Sequence, residues 1–233
     1  KRWLHLRGTD PAYIWRSGLK HDCSKVMELE RQEDKFYNGY GYVSSLEQDW
    51  VYPLLKSSDV GNSRTSTCRK YVLVTQRYIG EDTTHLKFDA PKIWVYLQNY
   101  REYLLKRSSS IYRNRPEFSI FGVGEYTFAP WKVAISGFYK TLNFVQVGQI
   151  DGKPVIFDDT VYFLSCRSKS EASFIAALLN SQPAREFLES MIFWSDKRPI
   201  TIELLKRLNL QALAQVLGRE EEYNSYALSS YHQ

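Results

Sequence analysis

The sequence predicts an α+β fold with antiparallel or mixed sheets, a long central helix and a C-terminal helical part. Three observations carry this. Short runs rich in β-branched and aromatic residues, "KYVLVTQR" and "TVYFLSC" among them, read as strands. From Asp89 the period changes: "APKIWVYLQNYREYLLKRS" places Ile93, Leu97, Tyr100 and Leu104 on one helical stripe, with Arg101 and Lys106 off it. The last third then keeps helical spacing almost throughout.

Taken in order, "AYIWRSG" and "SKVMELE" read as strands bracketing a polar turn, "LKHDC". The acidic stretch "ERQEDKFYNGYG" reads as a surface loop. "VYPLLKSSDV" holds a proline and ends in a Ser-Ser-Asp turn, so it is a short element delivering a polar loop. "KYVLVTQR" is the clearest strand of the first half, and Asp89 is placed to cap the helix that follows. "WKVAISGFY", "NFVQVGQ", "KPVIFDD" and "TVYFLSC" predict an antiparallel sheet, joined partly through Asp151-Gly152, a strong hairpin dipeptide. In "SEASFIAALLNS", Phe174, Ile175, Leu178 and Leu179 share a face; Pro183 can start a second helix and Thr201 can cap a third. The expected organisation is one unit over residues 1–218, dividing, if at all, into 1–110 and 111–218. A polar, frayed tail is expected over 219–233.

A chain of 233 residues can bury roughly 70% of its unfolded surface, and 43% hydrophobic residues suffice for a core. The net charge of +5 is modest, so its distribution matters more than its size. Arg101, Lys106, Arg107, Arg113 and Arg115 face one acid, Glu102, and Arg64, Arg69, Lys70 and Arg77 face none. Acids gather instead at Glu28 to Asp34 and Glu220 to Glu222, so a basic surface suited to a polyanion is expected. Cys23, Cys68 and Cys166 are odd in number and lack CxxC spacing, which predicts buried free thiols in a reducing cytosol. No apolar run reaches the roughly 20 residues of a membrane helix, and "KRWLHLRGTD" lacks a secretory core, so a cytoplasmic protein without membrane contact is expected. The absence of an initiator Met suggests a piece of something longer.

Motifs that carry chemistry are scarce. An amino-methylating enzyme would hold its target amine with Asn or Asp followed by Pro-Pro and an aromatic, yet no two of the eight prolines are adjacent. "FGVGEY", with Gly122 and Gly124, neither follows a convincing strand nor opens a long helix, so it reads as a tight turn rather than a nucleotide loop. Asp22 with Glu33-Asp34-Lys35 fits a metal-dependent nuclease only loosely, because Glu33 lacks the β-branched context of a buried strand. Asp158-Asp159 reads as a turn cap, and His5, His21, His85 and His232 show no metal spacing.

What remains is binding. "SSSIYRNRPEFSIFGVGEYTFAPWKVAISGFYK" interleaves Arg113, Arg115, Lys132 and Lys140, preceded by Arg107, with Tyr112, Tyr126, Trp131 and Tyr139. Cationic groups neutralise phosphates, rings stack or wedge against bases, and glycines allow close backbone approach. Trp131 and Phe128 read better as core.

Read together, several stretches resemble the TaqI-like specificity domain of adenine-specific DNA methyltransferases and fused restriction-modification enzymes. "WRSGLKHDCSKVMEL" is similar to the family's opening strand-turn-strand, with Gly18, Lys25 and Val26-Met27. "WVYPLLKSSDV" resembles its next signature, through Lys56, Ser57, Ser58 and Asp59. The basic aromatic stretch, "DDTVYFL", "FIAALLNS" and "SDKRPIT" follow in the family's order. One departure is His21-Asp22, where many relatives carry Thr-Gly. The resemblance implies an α+β module that recognises double-stranded DNA beside the catalytic methyltransferase domain of the same parent, with S-adenosylmethionine needed only by that domain. This chain would itself hold no cofactor, metal or catalytic residue. Candidate DNA contacts are Lys20, Lys25, Lys56, Ser58, Arg107, Arg113, Asn114, Arg115, Tyr139 and Lys140. The two polar turns around Lys20 to Lys25 and Lys56 to Asp59 are expected to share a face with Arg113 and Lys140. The readings from other classes are a small metal-dependent nuclease and a protein-interaction scaffold.

Overall fold

In the computed structural model, which describes residues 2–228, the chain builds two sheets that meet along a shared apolar seam. The first has the order β1-β10-β7-β8 and is antiparallel throughout, from Arg16–Ser17, Val161–Cys166, Trp131–Ser136 and Val145–Val147. The second runs β4-β3-β2-β6-β5-β9, from Gly41–Val43, Lys35–Asn38, Glu28–Gln32, Lys70–Leu73, Val51–Leu55 and Ile156–Phe157. Only its β5–β9 pairing is parallel. The fold is α+β with antiparallel and mixed sheets.

Side-chain alternation explains the seam. Along β10, Tyr162, Leu164 and Cys166 join one core, while Val161 and Phe163 point the other way into a second. Val133 and Ile135 of β7 do the same against Ala134. Both faces of this sheet are therefore covered: α6 (Lys169–Leu179) lies on β7 and β8, and Leu55 and Phe157 of the second sheet meet the opposite face. A third cluster joins Leu29, Leu54 and Val72 of the larger sheet to Ile93, Leu97 and Phe118.

The strand expected at "SKVMELE" begins as a one-turn helix, α1 (Ser24–Met27), which turns the adjacent Val26 and Met27 both inward; strand alternation would expose one of them. The acidic stretch expected as a loop is the β2–β3 hairpin, closed by Glu33-Asp34 with Glu33 at φ 54°. Only Phe36 on its second strand is buried, so the hydrophobic signal is faint.

The long central helix is divided into α3 (Leu86–Asp89), α4 (Pro91–Asn99) and α5 (Arg101–Leu105). Asp89 ends α3 rather than capping, because the residue before Pro91 is driven out of helical geometry: Ala90 sits at φ −148°, ψ 66°. The second break is at Tyr100, whose ring stacks on Tyr40 at 5.5 Å. Ile93, Leu97 and Leu104 nonetheless share the buried stripe.

Asp151-Gly152 does form a tight turn, with φ of 52° and 72°, inside the Ile150–Lys153 bridge. It does not join neighbours of one sheet, however: β8 lies in the first sheet and "KPVIF" crosses to pair with β5 in the second. In the C-terminal part, Pro183 sits in the first turn of α7 (Gln182–Glu189) and the Thr201 hydroxyl accepts from Leu204 N–H to cap α8 (Ile202–Leu205). After α9 (Leu210–Val216), the segment expected to fray forms α10 (Glu220–Ala227), with Tyr223 in the core; residues 229–233 lie outside the described ones. Cys166 is buried as expected, whereas Cys23 and Cys68 are half-buried; all three are free thiols.

Candidate nucleic-acid interface

The larger sheet carries a cleft built from the ends of its strands. β5 runs into Lys56, after which α2 (Ser57–Gly61) turns the chain aside. Asp59 reaches back to accept the Lys56 backbone N–H at 3.1 Å and also holds Arg69 at 3.3 Å and Arg64 at 3.7 Å. β6 contributes Lys70 and β2 contributes Glu28 and Glu30. Two adjoining pockets of about 480 and 270 Å³ share Lys56, Lys70 and Glu30. Five cations, Lys25, Arg31, Lys56, Arg69 and Lys70, line them against the three carboxylates Glu28, Glu30 and Asp59.

At the floor, Glu28 Oε1 accepts from Lys56 Nζ at 2.6 Å and faces His21 Nε2 at 3.4 Å, and Lys70 Nζ stands 3.5 Å from Oε2. His21 Nδ1 accepts from Cys23 N–H, which leaves Nε2 as the nitrogen that presents hydrogen to the carboxylate. Burial alone would raise the Glu28 pKa, but the hydrogen bonds from His21 and Lys56 outweigh it and bring the pKa down to about 2.

Of the predicted contacts, Lys25, Lys56 and Ser58 line this cleft. Lys25 also sits 5.6 Å above the Tyr40 ring, which is exposed beside Tyr103. Tyr139 packs on the end of α2 instead: its hydroxyl accepts from Asn62 Nδ2 at 2.8 Å, and its ring lies where a Cβ on Gly61 would stand only 2.5 Å away. The next residue, Lys140, is exposed.

The remaining contacts gather around a second turn. Lys20 pairs with Phe121 through two backbone hydrogen bonds of 2.9 Å. Gly122, at φ +71°, lets this pairing form, because a Cβ there would stand 2.4 Å from the Gly18 carbonyl oxygen. Lys20 Nζ lies 2.9 Å from Asp22 and 3.8 Å from Asp159; the hydrogen bond to Asp22 raises its pKa. Phe121 meets the Tyr112 ring edge-on, and Arg113, Asn114 and Arg115 follow as an exposed turn with Asn114 at φ 57°.

Arg107 behaves otherwise. Its guanidinium donates to the carbonyls of Leu104, His21, Ser119 and Glu117 and stacks 3.7 Å above Tyr112, so its fork faces the protein. It also links this turn to the cleft floor, because the His21 whose carbonyl it holds is the His21 that faces Glu28. Lys132 is buried too, donating to the carbonyls of Ala129 and Val155. Trp131 and Phe128 are half-buried, Phe128 lying 4.7 Å beneath the Arg77 guanidinium.

Sequence reasoning noted the Arg64, Arg69 and Lys70 cluster but assigned it no contact, and it missed Glu28 and Asn62. No motif marks them; the ladder pairing of β2 with β6 is what brings Glu28 beside Lys70. Asp158 Oδ1 accepts from the backbone and hydroxyl of Thr160, a turn cap as expected. Among the described residues, no group of three or more His, Cys, Asp or Glu is placed to hold a metal, and no helix is long and apolar enough to cross a membrane.

No family model matches the chain. Among solved structures, the type IIL restriction-modification enzyme MmeI, in complex with DNA, aligns over 97% of this chain and 36% of its own, with a TM-score of 0.47 and 11% identity. Over 217 residues the chain is 49% identical to the type II methyltransferase M.NspV of a Nostoc species, a match that takes in 93% of this chain and 45% of that protein. The chain is thus similar to a type II methyltransferase, and it spans less than half of that relative's length.

Proposed function

We propose that the chain is the DNA target-recognition part of a type II adenine-specific methyltransferase of the TaqI-like kind, and that methyl transfer and S-adenosylmethionine binding belong to the rest of its parent. The observation that carries this reading is the cleft: basic turns far apart in sequence converge on it, in a chain that matches only part of M.NspV. Loops held by stiff strands let one surface touch several base pairs at once, and lysines and arginines at its rim neutralise phosphates. Lys25, Lys56, Ser58, Tyr139 and Lys140 form one half of the proposed contact surface, and Lys20 with Arg113 to Arg115 the other. Arg107 drops out of the contacting set and becomes the brace between them.

The test is duplex binding by the isolated chain across a salt series. Affinity is expected to fall at a slope of about 0.9 per phosphate neutralised. Salt-independent binding, or saturable S-adenosylmethionine binding by calorimetry, would overturn the reading. Cleavage of plasmid in the presence of a divalent cation would favour a nuclease.

A further inference from the structure

Glu28 occupies an unusual place for an acid in a basic cleft. It opens β2 with its carboxylate at the cleft floor and is 5% exposed. Its Oε1 is well supplied by Lys56 and His21, whereas Oε2 is buried with no hydrogen-bond partner among the described residues. Lys70 Nζ is ion-paired with both Oε2 and Glu30 Oε1, each at 3.5 Å, without a hydrogen bond to Oε2. A buried charged oxygen without a donor is costly, so such an atom calls for a partner. The two lysines paired with the carboxylate, Lys56 and Lys70, line the cleft with it and have side chains 33% and 39% exposed.

An acceptor beside a donor is the complement of a base pair's major-groove edge. Cytosine N4 or adenine N6 offers a hydrogen there, and guanine O6 or thymine O4 on the paired base accepts one. Resting on the reading of the cleft as a DNA-contacting surface, we infer that Glu28 Oε2 accepts a hydrogen bond from the exocyclic amine of one target base while Lys70 donates to the carbonyl oxygen of that base's partner. Glu28 and Lys70 together then discriminate one base pair, with Lys56 and His21 fixing the carboxylate.

Selection from a randomised duplex library by the 233-residue chain tests this. The wild type is expected to enrich a defined site. Glu28→Gln is expected to lose its preference at one C·G or A·T pair by about tenfold while keeping the others. Which pair is lost tells cytosine from adenine. Lys70→Gln is expected to alter preference at the same pair. A folded Glu28→Gln that keeps the wild-type order at every position overturns the inference, even if its melting temperature falls. Should that variant fail to fold, an unchanged preference in Lys70→Gln overturns it instead. A wild type that binds duplexes without selecting a site removes base reading by Glu28 but leaves DNA binding intact, whereas a wild type that binds no duplex removes both.

Discussion

Single basic residues on this surface separate into three kinds, and each has its own signature. Arg113 and Arg115 flank Asn114 in an exposed turn, and an arginine fork suits guanine O6 and N7. Replacing one of them by Ala is expected to cost about 1 to 3 kcal/mol on the preferred site and relax selectivity at one position. Lys140→Ala is expected to weaken all duplexes alike and reduce the salt slope by about one. Competition against single-base variants reads both; if neither arginine changes the order, this turn reads no base, and any base reading must be sought in the cleft. Arg107 is the third kind. Arg107→Met strands four carbonyls and is expected to lower stability by about 2 to 4 kcal/mol, read by urea unfolding. Glu28 adds a pH signature. Its folded pKa of about 2 lies below its ordinary 4.5, so its stabilisation is complete above pH 4.5 and is lost as pH falls from there toward 2. The stability difference between wild type and Glu28→Gln is therefore expected to shrink over that window, by about 3 kcal/mol at most.

At the scale of elements, short helices work as brackets rather than as independent units. α2 has five residues and no register of its own; the Asp59 cap, the Ser57 hydroxyl on Thr160 and the Tyr139 ring against Gly61 hold it. α10 is held the same way. The Asp10 carboxylate accepts from Leu210 and Gln211 N–H at the start of α9, from Ala12 and Tyr13 N–H, and from the Tyr223 hydroxyl at 2.8 Å. The N-terminal segment is thereby tied to the last two helices. Tyr223→Phe removes one hydrogen bond to a buried carboxylate and is expected to cost about 1.5 to 3 kcal/mol in thermal or urea unfolding. A negligible change would mean that α10 contributes little to the core.

For the molecule as a whole, the decisive joint is between the sheets. β9 leaves the neighbourhood of β8 to pair with β5, and Lys132, 2% exposed, donates to Ala129 and to Val155 at that crossing. Burial pushes its ammonium down to about 7, and the two N–H groups of a neutral amine still supply both carbonyls. The sign follows from the depressed value. Between pH 7 and 10.5 the unfolded chain binds more protons, so wild-type stability rises with pH relative to Lys132→Met, by at most about 1.4 kcal/mol per unit. Unfolding midpoints of the two proteins at pH 7 and pH 10 check this; parallel changes would show that Lys132 is not neutral in the fold.

The α+β class, the strands Lys70–Leu73 (expected to run on to Arg77) and Val161–Cys166, the buried stripe Ile93, Leu97 and Leu104, and the Thr201 cap were determined by the sequence alone, because each rests on local periodicity or on one side chain reaching its own backbone. Lys56 at the end of a strand was legible for the same reason, whereas Ser58, expected in a loop, lies in α2, and Tyr139, expected in a strand, lies past the end of β7. Tertiary structure alone decided the rest. The Tyr40–Tyr100 stack sits at the second break in the central helix, and pairing with β6 built a charged run into the sheet as a hairpin, whereas the break at Pro91 is local and follows from the proline itself. Asp10, some 200 residues away in sequence, ordered the start of α9 and bound Tyr223. The candidate site divides along the same line. Basic clusters can be read from one strand of sequence, but the β2–β6 ladder that sets Glu28 beside Lys70, and the four carbonyls that claim Arg107, are long-range pairings, and neither periodicity nor composition encodes the partner of a long-range pairing.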